Sequence, residues 1–313
     1  MRYLAELKEG EMVREIYLCK KLQTLKTKAG KSYLSITLQD KTGIFDAKVW
    51  ELGAGVEHFE TMDYIFVDGQ VTSFQGALQM NIKRVRKCQE GEYDPADYMP
   101  MTTRNIEEMY KELLDLIALV REPHLQELLQ SFFVADKEFV VRFKKHSAAK
   151  AVHHGFIGGL LEHTLGVAKL CAFLADTYEL LNKDLLLTAA VFHDIGKMEE
   201  ISPFPENDYT DEGNLLGHIY IGASLISGRC RTIDGFPKKL EGELVHCILA
   251  HHGELEFGSP KKPALAEALA LYMADNMDAK METMKEIFAG ADAKLEWVGY
   301  QRLLETNLKR TIV

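Results

Sequence analysis

The chain has 313 residues, of which 47% are hydrophobic and 27% charged, and a formal net charge of -10. That length suits two soluble domains, and no apolar run approaches the roughly 18 to 20 residues of a membrane span, so a membrane partner is not expected. The opening MRYLAELKEGEMV is amphipathic and lacks a signal-peptide core, and Cys19, Cys88, Cys171, Cys230 and Cys247 form no C-x-x-C, so reduced thiols and a cytoplasmic location are expected.

Residues 12–90 read as five strands: EIYLCKKLQTLKT, KSYLSITLQD, IFDAKVWE, YIFVDGQVTSF and ALQMNIKRVRK. They are short, rich in β-branched and aromatic residues, and separated by the turn signals KAGK, DKTG and FQGA. Five such strands in about 80 residues suit a small barrel of the OB type, with room for a short helix between Trp50 and Tyr64. Charge is distributed unevenly. Residues 1–90 hold 14 Lys/Arg against 12 Asp/Glu, whereas residues 91–313 hold 23 against 35. A mildly basic module therefore precedes an acidic one.

OB-type barrels often bind single-stranded nucleic acid by stacking bases on aromatics along a basic groove. Tyr17, Tyr33, Phe45, Trp50 and Phe74 are the candidate stacking residues, although alternate strand positions ordinarily face a core. Lys20, Lys21, Lys26, Lys28 and Lys31 have no acid among them, and Lys83, Arg84, Arg86 and Lys87 close the last strand. These clusters fit a phosphate track.

The segment GEYDPADYMPMTTR at 91–104 reads as a linker. Helical periodicity follows at about 104–120, with Thr102 or Thr103 as cap, and then at 123–132, 136–146, 159–181, 184–194, 215–232, 238–252, 263–288 and 296–309. The chain thus divides into 1–92, a barrel; 93–150, linker and helical segment; and 151–313, an all-α bundle.

The apolar helical runs carry a series of imidazoles and carboxylates: His163 in LLEHTL, His193 and Asp194 in VFHDIGK, His218 in LLGHIYIGA, His251 and His252 in ILAHHGE, and Asp275 in YMADNMD. One such residue on a core helix is ordinarily a hydrogen-bonded core group. A whole series of them, inward-facing and without a metal, would be costly to bury. Helical bundles build metal sites in this way, one ligand per facing helix. Mixed His and Asp donors without Cys suit Mn²⁺, Fe²⁺, Co²⁺, Ni²⁺ or Zn²⁺.

The order His163, His193-Asp194, Asp275 resembles the H…HD…D signature of HD-domain metal-dependent phosphohydrolases, and HDIGK matches its strongest part. The resemblance covers about 150–285. It implies one or two divalent ions per site, with Asp194 able to bridge a pair, and it places His218 and either His251 or His252 at the extra ligand positions of binuclear members. It also implies that Asp194 and Lys197 are catalytic, Lys197 meeting the phosphate; the bland reading of Lys197 is a solvated helix-end cation.

Barrel and HD domain together resemble the YhaM family of bacterial 3′-to-5′ exoribonucleases, whose entry into the HD domain is similar to AAKAVHHGFIGGLLEHTL at 148–165. By that resemblance the substrate is single-stranded RNA, with single-stranded DNA also in view. The products are 5′-mononucleotides, Mn²⁺ or Co²⁺ supports the reaction, and the protein forms homo-oligomers. His153 and His154 then either contact the substrate or pack the helix start. The rival expectation is an HD phosphohydrolase of nucleotides or signalling dinucleotides with a regulatory barrel.

Overall fold

The computed structural model describes residues 1–27, 30–53, 55–74, 77–150, 154–292 and 295–311. It divides into two compact units, one of Met1–Met101 with Phe204–Glu206, the other of Thr102–Pro203 with Asn207–Val313.

The first unit is a closed barrel of β1 (Met12–Lys26), β2 (Ser32–Asp40), β3 (Gly43–Val49), β4 (Tyr64–Phe74) and β5 (Ala77–Lys87), in the order β1-β2-β3-β5-β4. Neighbouring strands run antiparallel except β3 and β5, which pair in parallel through Ala47 and Met80. This is the OB arrangement. Alternation sets the faces: Ile36, Leu38, Ala47, Val49, Val67, Val71, Met80 and Ile82 fill the interior, while Ser35, Lys48, Gln79 and Asn81 face outward.

Two expectations change here. Between Trp50 and Tyr64 the described residues form no helix; Val56 bridges Val85, and Phe59 enters the core. The supposed linker beyond residue 92 packs on its own unit. Tyr93 stacks on Tyr64 at 3.7 Å, Tyr98 meets Tyr64 edge-on at 5.0 Å, and the aromatic contacts keep the segment against the barrel.

The second unit is mostly helical: α1 (Ile106–Ile117), α2 (Pro123–Gln130), α3 (Lys137–Lys145), α4 (Gly159–Thr177), α5 (Lys183–Phe192), α6 (Lys197–Glu200), α7 (Asp211–Cys230), α8 (Lys238–Leu249) and α9 (Ala266–Gly290). The helix starts follow capping chemistry. Asn105, not Thr102 or Thr103, caps α1 by accepting from Glu107 and Glu108, and Asp136, Asn182 and Thr210 cap α3, α5 and α7. Phe132, Phe133, Phe139, Phe143 and Phe192 pack together, and α4 lies against α1, α5 and α9.

Residues 296–309 are not a helix. They form the hairpin β6 (Trp297–Gln301) and β7 (Thr306–Lys309), with Gly299 at φ 92° and Glu305 at φ 52°. The aromatic and β-branched content of WVGYQ favours a strand, and the positive φ values cannot belong to an α-helix. No helix among the described residues is long and apolar enough to cross a membrane.

Candidate functional site

His163 lies in the second turn of α4, among Leu160, Leu161 and Leu165 on the buried side of that helix. His193 and Asp194 do not continue α5. They occupy the turn that joins α5 to α6, where the backbone can aim adjacent side chains into one cavity. α7 is broken at Gly217, whose φ of 71° and ψ of 152° are readily available only to glycine. The break swings His218 so that its own N–H, at 2.9 Å, and its Nδ1, at 3.0 Å, both donate to Glu200 Oε1. His251 and His252 follow the last turn of α8, and Asp275 comes from α9.

The long sequence separations close completely. His163 Nε2 lies 3.1 Å from His193 Nε2, 3.2 Å from Asp275 Oδ1 and 3.3 Å from Asp194 Oδ2. On the other side of the same carboxylate, Asp194 Oδ1 lies 3.5 Å from His218 Nε2 and 3.6 Å from His251 Nε2. Among the described residues three groups of donor atoms lie within 4.8 Å of one another, His163–His193–Asp275, His218–His251–His252 and, behind His163, His154–His163–Asp278. Asp194 turns one oxygen to each of the first two sets.

The imidazoles share one orientation. Nδ1 of His163 donates to Asp278, of His193 to Ala190 O, of His218 to Glu200, of His251 to Ile248 O and of His252 to Phe257 O. The neutral form of each ring is thereby assigned as Nδ1–H, which leaves the Nε2 lone pair for a ligand. The donor set fits a divalent ion on a further observation. Asp194 Oδ1, His218 Nε2 and His251 Nε2 are buried without a hydrogen-bond partner, a costly arrangement that a cation would relieve.

The electrostatics agree for His193 and His252. Burial pushes His193 down to about 4, and burial with the neighbouring His251 and His218 pushes His252 to about 4, so both rings are neutral near pH 7. Burial opposes ionisation of Asp194, but Lys197 and the surrounding histidines outweigh it and hold the carboxyl well below its usual range. His163 differs: burial is outweighed by Asp194, Asp275 and Asp278, which raise it well above its usual range, so without a cation the ring holds a proton on each nitrogen near pH 7, and a metal ion at Nε2 would have to displace one. Lys197 Nζ sits 2.6 Å from Asp194 Oδ2. It is therefore tied to the central carboxylate and not a solvated helix-end cation.

Asp278 and Glu200 escaped the sequence reading. The signal was present: Asp278 lies three residues after Asp275, on the same face of α9, and Glu200 follows HDIGK by one turn. His154 is buried beside His163, ring centroids 5.3 Å apart. His153 and Lys28 lie outside the described residues.

On the barrel, Tyr33 on β2 and Trp50, the residue after β3, stack at 4.6 Å. Trp50 Nε1 donates to Asn81 Oδ1 at 3.0 Å, and Asn81 Nδ2 to Thr72 Oγ1 at 3.1 Å, which fixes the indole against the sheet. Phe74 is exposed, as are Lys26, Lys83 and Arg84. Two candidates are taken up by the barrel interior, and a third is ion-paired. Tyr17 is fully buried, its hydroxyl donating to Arg2 O, because its position on β1 points into the barrel. Phe45 likewise packs on the interior. Arg86 is held by Glu92 through two bonds of 2.7 and 2.9 Å, which pair its charge locally.

Among solved structures, the second OB-fold domain of replication protein A from Methanococcus maripaludis is similar at 16% identity, over 29% of this chain and 98% of that one, with a TM-score of 0.24. A replication protein A heterotrimer bound to ssDNA is similar at 16% identity, over 28% of this chain and 65% of that one, with a TM-score of 0.22. Residues 160–280 match the family model of the HD domain, which spans His163, His193, Asp194, His218, His251, His252 and Asp275. The helical unit thus carries an HD domain, of the superfamily of metal-dependent phosphohydrolases, and an OB-type barrel precedes it in the chain.

Proposed function

We propose that this protein is a divalent-metal-dependent phosphodiesterase that shortens single-stranded RNA from its 3′ end and releases 5′-mononucleotides. The observation that carries the reading is Asp194, buried with one oxygen toward each of two sets of imidazole nitrogens inside the HD match. The 3′-to-5′ polarity and the choice of RNA rest on the resemblance to the YhaM family, as does a homo-oligomeric state.

In this reading His163, His193 and Asp275 would hold one ion and His218 and His251 a second, with Asp194 placed between the two sets and His252 beside the second. Mn²⁺ is the expected ion, and the donor set also accepts Co²⁺, Fe²⁺, Ni²⁺ or Zn²⁺. Such an ion supplies Lewis acidity and lowers the pKa of water. The chain supplies the rest. Lys197, its side chain 18% exposed, holds Asp194 in place and brings a positive charge to where the phosphoryl oxygens gain charge. His252 is part-exposed and neutral, so it can accept a hydrogen bond from substrate. The Nδ1 anchors keep every imidazole from rotating as substrate enters. On the barrel, Trp50 and Tyr33 offer a stacking surface, with Phe74 exposed on the same sheet, and Lys26, Lys83 and Arg84 offer phosphate contacts.

The test is purified protein with Mn²⁺ and 5′-labelled single-stranded RNA, run beside DNA of the same sequence. A ladder shortening from the 3′ end is expected, and Asp194→Asn should abolish turnover while RNA binding persists. Inert RNA together with hydrolysis of a free nucleotide or dinucleotide would overturn the reading in favour of a small-molecule phosphohydrolase.

A further inference from the structure

His193 and His251 follow the ends of α5 and α8. The last carbonyls of a helix have no intrahelical partner, so Ala190 O and Ile248 O are free to accept their Nδ1–H groups. His163 has no such neighbour. It sits inside α4, where the carbonyls of the preceding turn are already engaged by the helix. Its Nδ1 needs an acceptor from outside, and Asp278 Oδ2 stands 2.7 Å away.

The approach of that carboxylate requires a gap. Gly166 lies three residues after His163, on the same face of α4. A Cβ added there would fall 2.2 Å from Asp278 Oδ1 and 3.0 Å from its Cγ. Any other residue at 166 would therefore push the carboxylate off the ring. On α9, Asp275 and Asp278 are three apart, so one helix presents Asp275 Oδ1 to Nε2 at 3.2 Å and Asp278 to Nδ1 of the same imidazole.

Resting on the metal reading above, we propose that Asp278 is a positioning residue for His163, seated in a notch that Gly166 leaves in α4, and that it sets how tightly the His163–His193–Asp275 set holds its ion. A carboxylate behind a metal-binding imidazole fixes the tautomer, prevents ring rotation and makes Nε2 a stronger donor. Backbone carbonyls do the first two for the other set's His251 and His252 but bring no charge.

The experiment titrates Co²⁺ into the metal-free full chain and follows visible absorption, with the thermal midpoint in EDTA measured on the same samples. Asp278→Ala and Gly166→Ala should each weaken the affected Co²⁺ site by about 10- to 100-fold. Asp278→Asn, which keeps the shape and an acceptor but loses the charge, should fall between them and the parent. The double variant should be no weaker than Asp278→Ala alone, since both changes act through one carboxylate. Midpoints in EDTA should move little for Asp278→Asn. Parent protein that binds no Co²⁺ removes the metal reading and this proposal with it. Normal binding by the parent, with affinities of Asp278→Ala and Asp278→Asn within about twofold of it, overturns this proposal alone. An affinity loss matched by collapse of the EDTA midpoint in Asp278→Asn makes Asp278 a fold residue and overturns it as well.

Discussion

The glycine of HDIGK offers a sharp test of how the site is assembled. Gly196 has φ of -65° and ψ of -18°, so alanine meets no backbone strain there. The difficulty is space. A Cβ would lie 2.1 Å from His218 O and 2.6 Å from Gly222 N, both backbone atoms of α7. Non-bonded heavy atoms settle at about 3.5 Å or beyond, so the α5–α6 turn and α7 must separate by about 1 Å. No side-chain rotation can relieve the contact. Overpacking costs about 1–3 kcal/mol, and a clash against backbone belongs at about 3. For a unit of this size that is a fall in Tm of about 6–12 °C. His218 and its two bonds to Glu200 move with α7, so the second set of nitrogens loosens as well. Two controls share the helix. At Gly222 a Cβ would come to 3.3 Å from Gly196 N, a steric cost of about 1 kcal/mol that the helix-propensity gain of alanine offsets, so the net change is close to zero. At Gly228 nothing lies within 4 Å, so alanine should stabilise by about 0.5–1 kcal/mol through helix propensity. Thermal melts in EDTA followed by far-UV circular dichroism should place Gly196→Ala lowest, Gly222→Ala close to the parent and Gly228→Ala highest. A Gly196→Ala protein that melts with the parent would refute the close approach.

Two further outcomes follow from the geometry. Trp50→Ala should weaken binding to single-stranded RNA by about 1–3 kcal/mol, whereas Arg86→Ala, already held by Glu92, should change it by less than about twofold; equal losses in a fluorescence anisotropy titration would contradict the stacking platform. The five cysteines are buried, and burial pushes Cys19, Cys230 and Cys247 up to about 12, so an aromatic disulfide reagent should label none of them at mildly alkaline pH until denaturant is added; rapid labelling of the native chain would show the core to be open.

Much of this protein was legible along the chain. Period-two alternation from Met12 to Lys87 gave the barrel strands, because each strand's faces are decided by local sequence. The spacing of His163, His193, Asp194, His218, His251, His252 and Asp275 announced a site, because imidazoles and carboxylates are costly in apolar helices unless something gathers them. Tertiary structure alone decided what those residues meet. Alternation marks two faces of β1 without saying which is inside, and closure of the barrel turned Tyr17 inward. Lys83 and Arg86 read alike in sequence, but only Arg86 has Glu92 within reach. The pairings Asp278–His163 and Glu200–His218 join separate helices, as does the division of Asp194 between two sets of nitrogens. Periodicity is a property of one segment; a hydrogen-bond partner is chosen by how segments pack, and packing depends on every element at once.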